Sequence, residues 1–359
     1  MRNFDFVKFL KKSAIITGVI MLAGIILTCI FGVNFDISFV GGSRFTYSYT
    51  GEIDSVNAEA LIAEKLGLDA DITQSSGFSG DSQKLVITFS GDITKDINPE
   101  LLQAVLDKIA ADEKAEVQTE ADTEVKDEAD AKEEAEESQE SSEAMINIQA
   151  AMTKVLSDGY PEGNIKLNEA NTVNPTLAVS FLIKSLVAVI IAGVCVVIYI
   201  AIRFRKIGGI SAGLFAFVAL IHDVIIAFFI MAIFGLEIDT NFFAVILTLF
   251  GYSLNDTIVI FDRVRENRKY YPSLTVREGV NKSINETLAR SIMTAVTTFI
   301  AITAVIVVAE AFGVTALRSF AIPMAVGVIS GCYTSVFLSG PLWVFWKEYK
   351  GSKDPKKKK

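Results

Sequence analysis

The stretch GYSLNDTIVIFDRVREN, residues 251–267, decides how this chain is read. It continues an apolar run that begins at Asn241, yet it sets Asn255 and Asp256 side by side before any loop signal and only then reaches Asp262 and Arg263. A carboxylate at the centre of a membrane helix costs about 2.5 to 3.5 kcal/mol on insertion scales, so such acids face a bundle interior or a watery path. Either the run is not a membrane helix, or Asp256 has a partner.

The remainder of the chain favours the membrane. Of its 359 residues 51% are hydrophobic, and these gather in long blocks rather than in amphipathic stripes. Six blocks reach about 20 residues: Ser13 to Gly32, Leu177 to Ile202, Gly208 to Phe234, Asn241 to Phe261, Ser291 to Phe312 and Ser319 to Trp346. At about 1.5 Å per residue each can cross a hydrocarbon core of roughly 30 Å. The first follows Lys8, Lys11 and Lys12 as a signal peptide would, but it is full length and no small-x-small cleavage site follows, which predicts a retained anchor. Cys29, Cys195 and Cys332 lie inside the blocks, where they behave as small hydrophobes, and no disulfide framework is readable. The sequence has no G-x-x-x-x-G-K-S/T phosphate loop, no Cys or His metal cluster and no G-x-S-x-G elbow, so nucleotide hydrolysis is not a visible source of work and no cofactor or metal is expected.

The formal net charge of -9 comes from one segment: Asp112 to Glu143 holds fifteen acids and three lysines, and without that -12 the chain stands at +3. With almost no bulky apolar residue, the segment is predicted to be a solvated spacer, disordered or loosely helical. No nucleic-acid partner is indicated.

Lysine and arginine mark the cytoplasmic side of short loops. They cluster from Arg2 to Lys12, at Arg203, Arg205 and Lys206, from Arg263 to Lys282, and from Lys347 through the tail at Lys356 to Lys359; six spans put all four clusters on one side. The opposite short loops, GLEIDTN at 235–241 and FGVTALRS at 312–319, carry Glu237, Asp239 and a single Arg318. The predicted organisation is a cytoplasmic N-terminus at 1–12, a span at 13–32, an external segment at 33–176 with the acidic spacer at 112–143, five spans within 177–346, and a basic cytoplasmic tail at 347–359.

The external segment reads as an α+β domain. RFTYSY at 44–49 alternates, AEALIAEKLG at 58–67 has helical spacing, and strand-like runs follow near Asp71 to Gln74 and Lys84 to Phe89. Pro99 to Ala111 is a second helix, the spacer interrupts or follows it before the apolar stretch Ala144 to Leu156, and IKLNEANTV at 165–173 closes the pattern. The order βαββαβ predicts a ferredoxin-like layer of helices on an antiparallel sheet. Gly41 and Gly42, at the handover from the first span to the first strand, read as a flexible turn or as a hinge.

Asp256 lies ~9 Å of helix from the cytoplasmic edge, with Tyr252 and Ser253 one turn away on a polar strip. It is either a structural aspartate bonded to a neighbouring hydroxyl or a functional one. Arg290 opens the fifth block, with Thr294, Thr297 and Thr298 spaced to share its face; the arginine either snorkels to the interface or reaches inward to the depth of Asp256. His222 and Asp223 adjoin in the third block as a buried structural pair or a proton relay. Gly209 with Gly213 and Gly327 with Gly331 have G-x-x-x-G spacing, and Pro323 suggests a kink.

Together, GYSLNDTIVIFDRVREN, the preceding GLEIDTNFFAVILT and the following ETLARSIMTAVTTF resemble the SecF family of the bacterial Sec protein-export machinery, over nearly the whole chain. The resemblance implies a membrane all-α bundle of six transmembrane helices, half of a resistance-nodulation-division (RND) type transporter, in the bacterial inner membrane. It implies a non-enzymatic protein that pairs with SecD into a twelve-span unit, which uses the proton motive force to move preproteins emerging from the SecY, SecE and SecG translocon, with YajC and YidC as further neighbours. It also implies that Asp256 and Arg290 handle the proton; Asn255, Thr294, Thr297, Thr298, His222 and Asp223 are candidates, as relay or structural residues, by their place in the sequence alone. Gly41, Gly42 and Pro175 stand at the family's hinge motifs, although D-F-x-G-G is here Ser38-Phe39-Val40-Gly41-Gly42, with Asp36 two places earlier, and V-G-P-x-x-G is Val173 to Ala178. The rival readings are half of an RND-like exporter of lipids or small molecules and a passive membrane scaffold.

Overall fold

The computed structural model describes residues 4–76, 83–91, 93–116, 134–205, 209–312 and 314–352. Among these residues, six stretches of helix are long and apolar enough to cross a membrane. They are α1 (Phe6–Phe31), α7 (Pro175–Arg203), α8 (Gly209–Ile233), α9 (Thr240–Tyr270), α10 (Val276–Phe312) and a run in which α11 (Thr315–Thr334), a π-helical turn (Ser335–Ser339) and α12 (Gly340–Ser352) follow without a loop. Pro323 sits inside α11, and the change of backbone pattern falls later, at Ser335.

Two of these helices outrun the apolar blocks that announce them. α9 continues past Phe261 to Tyr270, and α10 begins at Val276 rather than Ser291. Hydropathy ends where the chain leaves hydrocarbon, but a helix continues while its surface is satisfied. Here Arg263 pairs with Glu286 at 2.6 Å and Glu266 at 2.7 Å, Lys282 pairs with Glu286 at 3.3 Å, and Asn267 donates to Ser283 at 3.0 Å. α1 likewise starts before its apolar block. Asp5 caps it by accepting from Lys8 N at 3.0 Å, while the Asn285 side chain accepts from Phe4 N at 3.0 Å and donates to Phe4 O at 2.8 Å.

Lipid is as apolar as leucine, so helices associate in a membrane through close packing and hydrogen bonds rather than hydrophobic burial. Small residues accordingly mark the contacts. A Cβ on Gly331 would stand 3.0 Å from that of Ser253, and one on Gly327 would meet Leu249 at 2.6 Å, so the second G-x-x-x-G pair lies against α9. Gly213 lies against Ile200 of α7. α8, α9 and α11 form the buried heart of the bundle, whereas Ile15 of α1, Ile190 of α7 and Ile300 of α10 are exposed apolar side chains.

A second compact unit is built mainly on Asp36–Leu182. It contains α2 (Ile37–Val40), β1 (Gly42–Tyr49), α3 (Ser55–Leu66), β2 (Asp71–Ser76), β3 (Gln83–Ser90), α4 (Ile93–Asp96), α5 (Pro99–Glu116), α6 (Glu134–Gly159) and β4 (Lys166–Val173). The strands form one antiparallel sheet in the order β2-β3-β1-β4, with a register shift between Thr46 and Tyr47 where β1 meets β4. Alternation along β1 and β3 buries Phe45, Tyr47, Tyr49, Leu85, Ile87 and Phe89 on one face. Ile62 and Leu66 of α3, Val105 of α5 and Ile148, Met152 and Leu156 of α6 complete that core. α5 and α6 take in both ends of the acidic spacer, whose Ala, Glu and Lys are good helix formers. Residues 117–133 of the spacer, Lys206, and the tail from 353 lie outside the described residues.

Where α2 turns into β1, Gly41 and Gly42 have φ of 84° and 137°. A Cβ on Gly41 would stand 2.5 Å from Cα of Pro175, and one on Gly42 would overlap the carbonyl oxygen of Phe89. Two of the motif positions, Gly41 and Pro175, therefore meet, and glycine is required there by sterics. Beside them Asp36 caps α2, accepting from Ser38 N at 2.8 Å, and pairs with Arg44 at 2.7 Å. Burial pushes the Asp36 carboxyl up, but the Ser38 hydrogen bonds and the Arg44 guanidinium outweigh it and hold the group below the usual carboxylate range.

Gly41→Ala is expected to destabilise this unit by about 1 to 3 kcal/mol, read as a lowered unfolding temperature of the purified chain. Gly51→Ala, at φ 91° with open space around it, is expected to cost less. Because the folded Asp36 pKa is depressed, its stabilisation is present above the unfolded value of about 3.9 and is lost as pH falls through the folded value. Unfolding followed from pH 7 towards pH 3 should show that loss, and Asp36→Asn should flatten it.

Candidate functional site

Two polar centres lie within the helix bundle, each built around an aspartate. The first is on α8. Adjacent residues on a helix diverge by about 100°, yet His222 and Asp223 are both buried, because α8 is packed against α1, α9 and α11. Asp223 is 0% exposed, and its carboxylate is surrounded by donors. Oδ2 accepts from Ser253 Oγ at 2.7 Å and Thr334 Oγ1 at 2.9 Å, and Oδ1 accepts from Ser330 Oγ at 2.6 Å, with His222 Nδ1 3.3 Å away. The hydroxyls continue beyond it. Ser335 Oγ donates to the Ser253 carbonyl at 3.3 Å and lies 2.9 Å from Thr257 Oγ1.

The π-helical turn that follows Thr334 belongs to this centre. A π turn widens the backbone locally and recurs at functional positions, and Thr334 and Ser335, although adjacent, are both buried against α8 and α9. The sequence reading put Ser253 on a strip leading to Asp256, whereas the structure turns it to Asp223. Ser330, Thr334 and Ser335 were missed, and their signal was the hydroxyl-rich SGCYTS at 330–335 inside an apolar block.

The second centre is on α9. Asp256 is 4% exposed, and its Oδ2 is buried with no hydrogen-bond partner among the described residues. Across from it on α10, the Arg290 charge and the Ser291 and Thr294 side chains are within electrostatic range. No ion pair joins Arg290 to Asp256 among the described residues. The Thr294 hydroxyl donates within its own helix, to Ser291 O at 2.9 Å, and Thr297 does the same to Met293 O at 2.9 Å. Thr298 stands near Tyr252, while Asn255, Arg290 and Thr297 are exposed on the outside of the bundle. The structure thus gathers Asp256, Arg290 and Thr294, turns Asn255 and Thr297 away, and gives His222 and Asp223 a centre of their own. No group of three or more His, Cys, Asp or Glu side chains that could hold a metal occurs among the described residues.

Among the described residues, six apolar helical stretches, an α+β segment between the first and second, and the buried Asp223 and Asp256 within the bundle define a multi-pass membrane protein. The family described as protein export membrane protein SecD/SecF, C-terminal, matches residues 152–349. The protein translocase subunit SecF of Alicyclobacillus acidocaldarius is 30% identical over 351 residues, 96% of this chain and 93% of that one. That of Sebaldella termitidis is 38% identical over 199 residues, 55% of this chain and 61% of that one. The crystal structure of SecDF from Thermus thermophilus aligns with a TM-score of 0.69 at 24% identity, covering 96% of this chain and 39% of that one. The chain belongs to the SecF family of SecD/SecF protein-export membrane proteins.

Removing the Asp223 carboxylate takes the nearest acceptor from three buried hydroxyls, leaving Thr334 with Gly331 O at 3.2 Å and Ser330 with His222 Nδ1 at 3.4 Å. Asp223→Leu is expected to destabilise the bundle by about 2 to 4 kcal/mol, and Ser330→Ala by only about 0.6 to 1.7 kcal/mol. Unfolding of the purified variants in detergent should rank them in that order.

Proposed function

We propose that this chain is a non-enzymatic subunit of the Sec protein-export translocase that acts with SecD and couples the proton motive force to late-stage movement and release of preproteins at SecY, SecE and SecG. Membership of the SecF family supports the export role. The SecDF chain of which this one spans 39% supports the partnership, since the rest of that longer protein has room for a SecD half. In this reading the Asp36–Leu182 unit is a ferredoxin-like domain outside the cell membrane, and both termini are cytoplasmic.

The observation that carries the coupling is the contrast between the two aspartates. Asp223 already accepts from three hydroxyls, so a proton arriving there would displace bonds that hold three helices together. Asp256 keeps a buried oxygen with no partner among the described residues, and a cation stands near it without an ion pair among them. Low dielectric favours the neutral acid while a nearby cation favours the carboxylate, so the two protonation states of such a group answer to opposed influences. Deprotonation of Asp256 would draw Arg290 inward, and protonation at Oδ2 would let it stay apart, moving α10 against α9. One charge moved through 100 mV supplies about 2.3 kcal/mol, enough to bias a packed two-state bundle.

In energised vesicles, Asp256→Asn and Arg290→Met are expected to assemble yet lose gradient-dependent preprotein release, while Asp256→Glu retains part of it. Full gradient-dependent release by Asp256→Asn would return Asp256 to a structural role. Orientation is tested separately. With Cys29, Cys195 and Cys332 replaced by alanine, Asn57→Cys should react with an impermeant maleimide from outside intact cells and Tyr270→Cys should not.

A further inference from the structure

At one end of the bundle, α7, the start of α8, and α12 enclose a groove of about 500 Å³. Its floor is apolar, formed by Leu214, Phe215 and Trp346, and its rim carries three cations, Arg205, Lys347 and Lys350. We propose that this groove binds the headgroup of one anionic phospholipid from the adjoining leaflet, with the upper part of an acyl chain against the apolar floor.

The charge pattern is the first reason. Nearby cations of the same bundle are matched by acids: Arg203 with Asp262 at 2.6 Å, Arg265 with Asp262 at 3.1 Å, and Arg263 with Glu286 at 2.6 Å. Arg205, Lys347 and Lys350 make no ion pair with an acid among the described residues. Lys347 instead has two further cations, Arg268 and Lys350, as its charged neighbours. Like charges gathered at one rim call for a counter-ion, and no described acid pairs with them.

The shape of the rim is the second. Lys350 lies over the Trp346 ring at 5.2 Å and Lys347 over the Trp343 ring at 5.4 Å, so both ammonium groups are held by aromatic faces rather than left to wander. Trp343 Nε1 in turn donates to Ser211 Oγ at 3.0 Å, tying α12 to α8 across the groove. Leu214 is 56% exposed directly beside these cations, an arrangement suited to a ligand that is ionic at one end and hydrocarbon at the other. Basic pockets between membrane helices recognise acidic headgroups by this combination of fixed charge and apolar wall.

The test uses the purified full chain and native mass spectrometry after incubation with equal amounts of phosphatidylglycerol and phosphatidylcholine of matched acyl chains. The wild type is expected to retain phosphatidylglycerol with a preference of about fivefold or more. The triple variant Arg205→Gln, Lys347→Gln, Lys350→Gln should lose that preference, and Arg205→Lys, Lys347→Arg, Lys350→Arg should keep it. Lys8→Gln, Lys11→Gln, Lys12→Gln removes three cations elsewhere and should also keep it. Equal retention of both lipids, equal loss in both glutamine triples, or displacement of phosphatidylglycerol by millimolar inorganic phosphate would each overturn the assignment. The proposal rests on the membrane reading but not on the proton relay, because lipid retention is measured without a gradient and without export.

Discussion

A carboxylate with no exposure to solvent, deep in a helix bundle, exists only if donors are brought to it. Asp223 meets that condition through Ser253 of α9 and Ser330 and Thr334 of α11. Two helices, α9 and α11, must therefore approach α8's polar point closely and in one register. Glycines at 327 and 331 allow the approach, and the π turn after Thr334 lets consecutive hydroxyls turn to the same interior. Leucine packing alone would not select this arrangement, since a lipid-solvated helix gains nothing from burying leucine. The hydrogen-bonded aspartate supplies both the attraction and the register.

A fixed centre of this kind gives the second aspartate its setting. Asp256 lies one turn from Ser253 on the same helix, yet it faces α10, whose membrane segment is largely exposed. Its buried oxygen is unbonded while its neighbour's oxygens are saturated, so the two acids differ in what a proton would cost them. One carboxylate is bonded to two neighbouring helices, and the other has a buried oxygen that no described residue bonds. The exposed Asn255, Arg290 and Thr297 lie on faces that this chain leaves uncovered, where a second membrane protein would complete the surroundings.

In the sheet unit the corresponding constraint is steric. Gly41 at positive φ against Pro175 joins the start of β1 to the start of α7, so the two chain segments that leave the unit are fitted to each other at one point. The Asp36 and Arg44 pair closes the adjacent turn. The residues that depart from the family's hinge pattern, Ser38 and Asp36, thereby acquire a role: the carboxylate two places earlier caps α2 through the Ser38 N–H.

Much of this was legible in the amino-acid order, for identifiable reasons. Membrane spans are declared by uninterrupted hydrocarbon, the strands at Phe45 to Tyr49 and Leu85 to Phe89 by strict alternation, and α3 by the spacing of Ala58, Ile62 and Leu66, because each is a local period that one segment carries alone. Asp256 and Arg290 were legible because a charge in an apolar block is conspicuous. The helical extensions to Tyr270 and from Val276 were not, because they depend on polar contacts between segments, Arg263 with Glu286 and Asn267 with Ser283, rather than on hydropathy. Nor could the sequence say that Ser253 serves Asp223 instead of Asp256, that Asn255 faces outward, or that Ser330 and Thr334 matter at all. Serine and threonine in a membrane helix bond as readily to their own carbonyls, as Thr294 and Thr297 do here. Only the packing of α8, α9 and α11 decides which hydroxyls are turned to the carboxylate, because a hydroxyl's partner is chosen by distance between helices and not by its place along one of them.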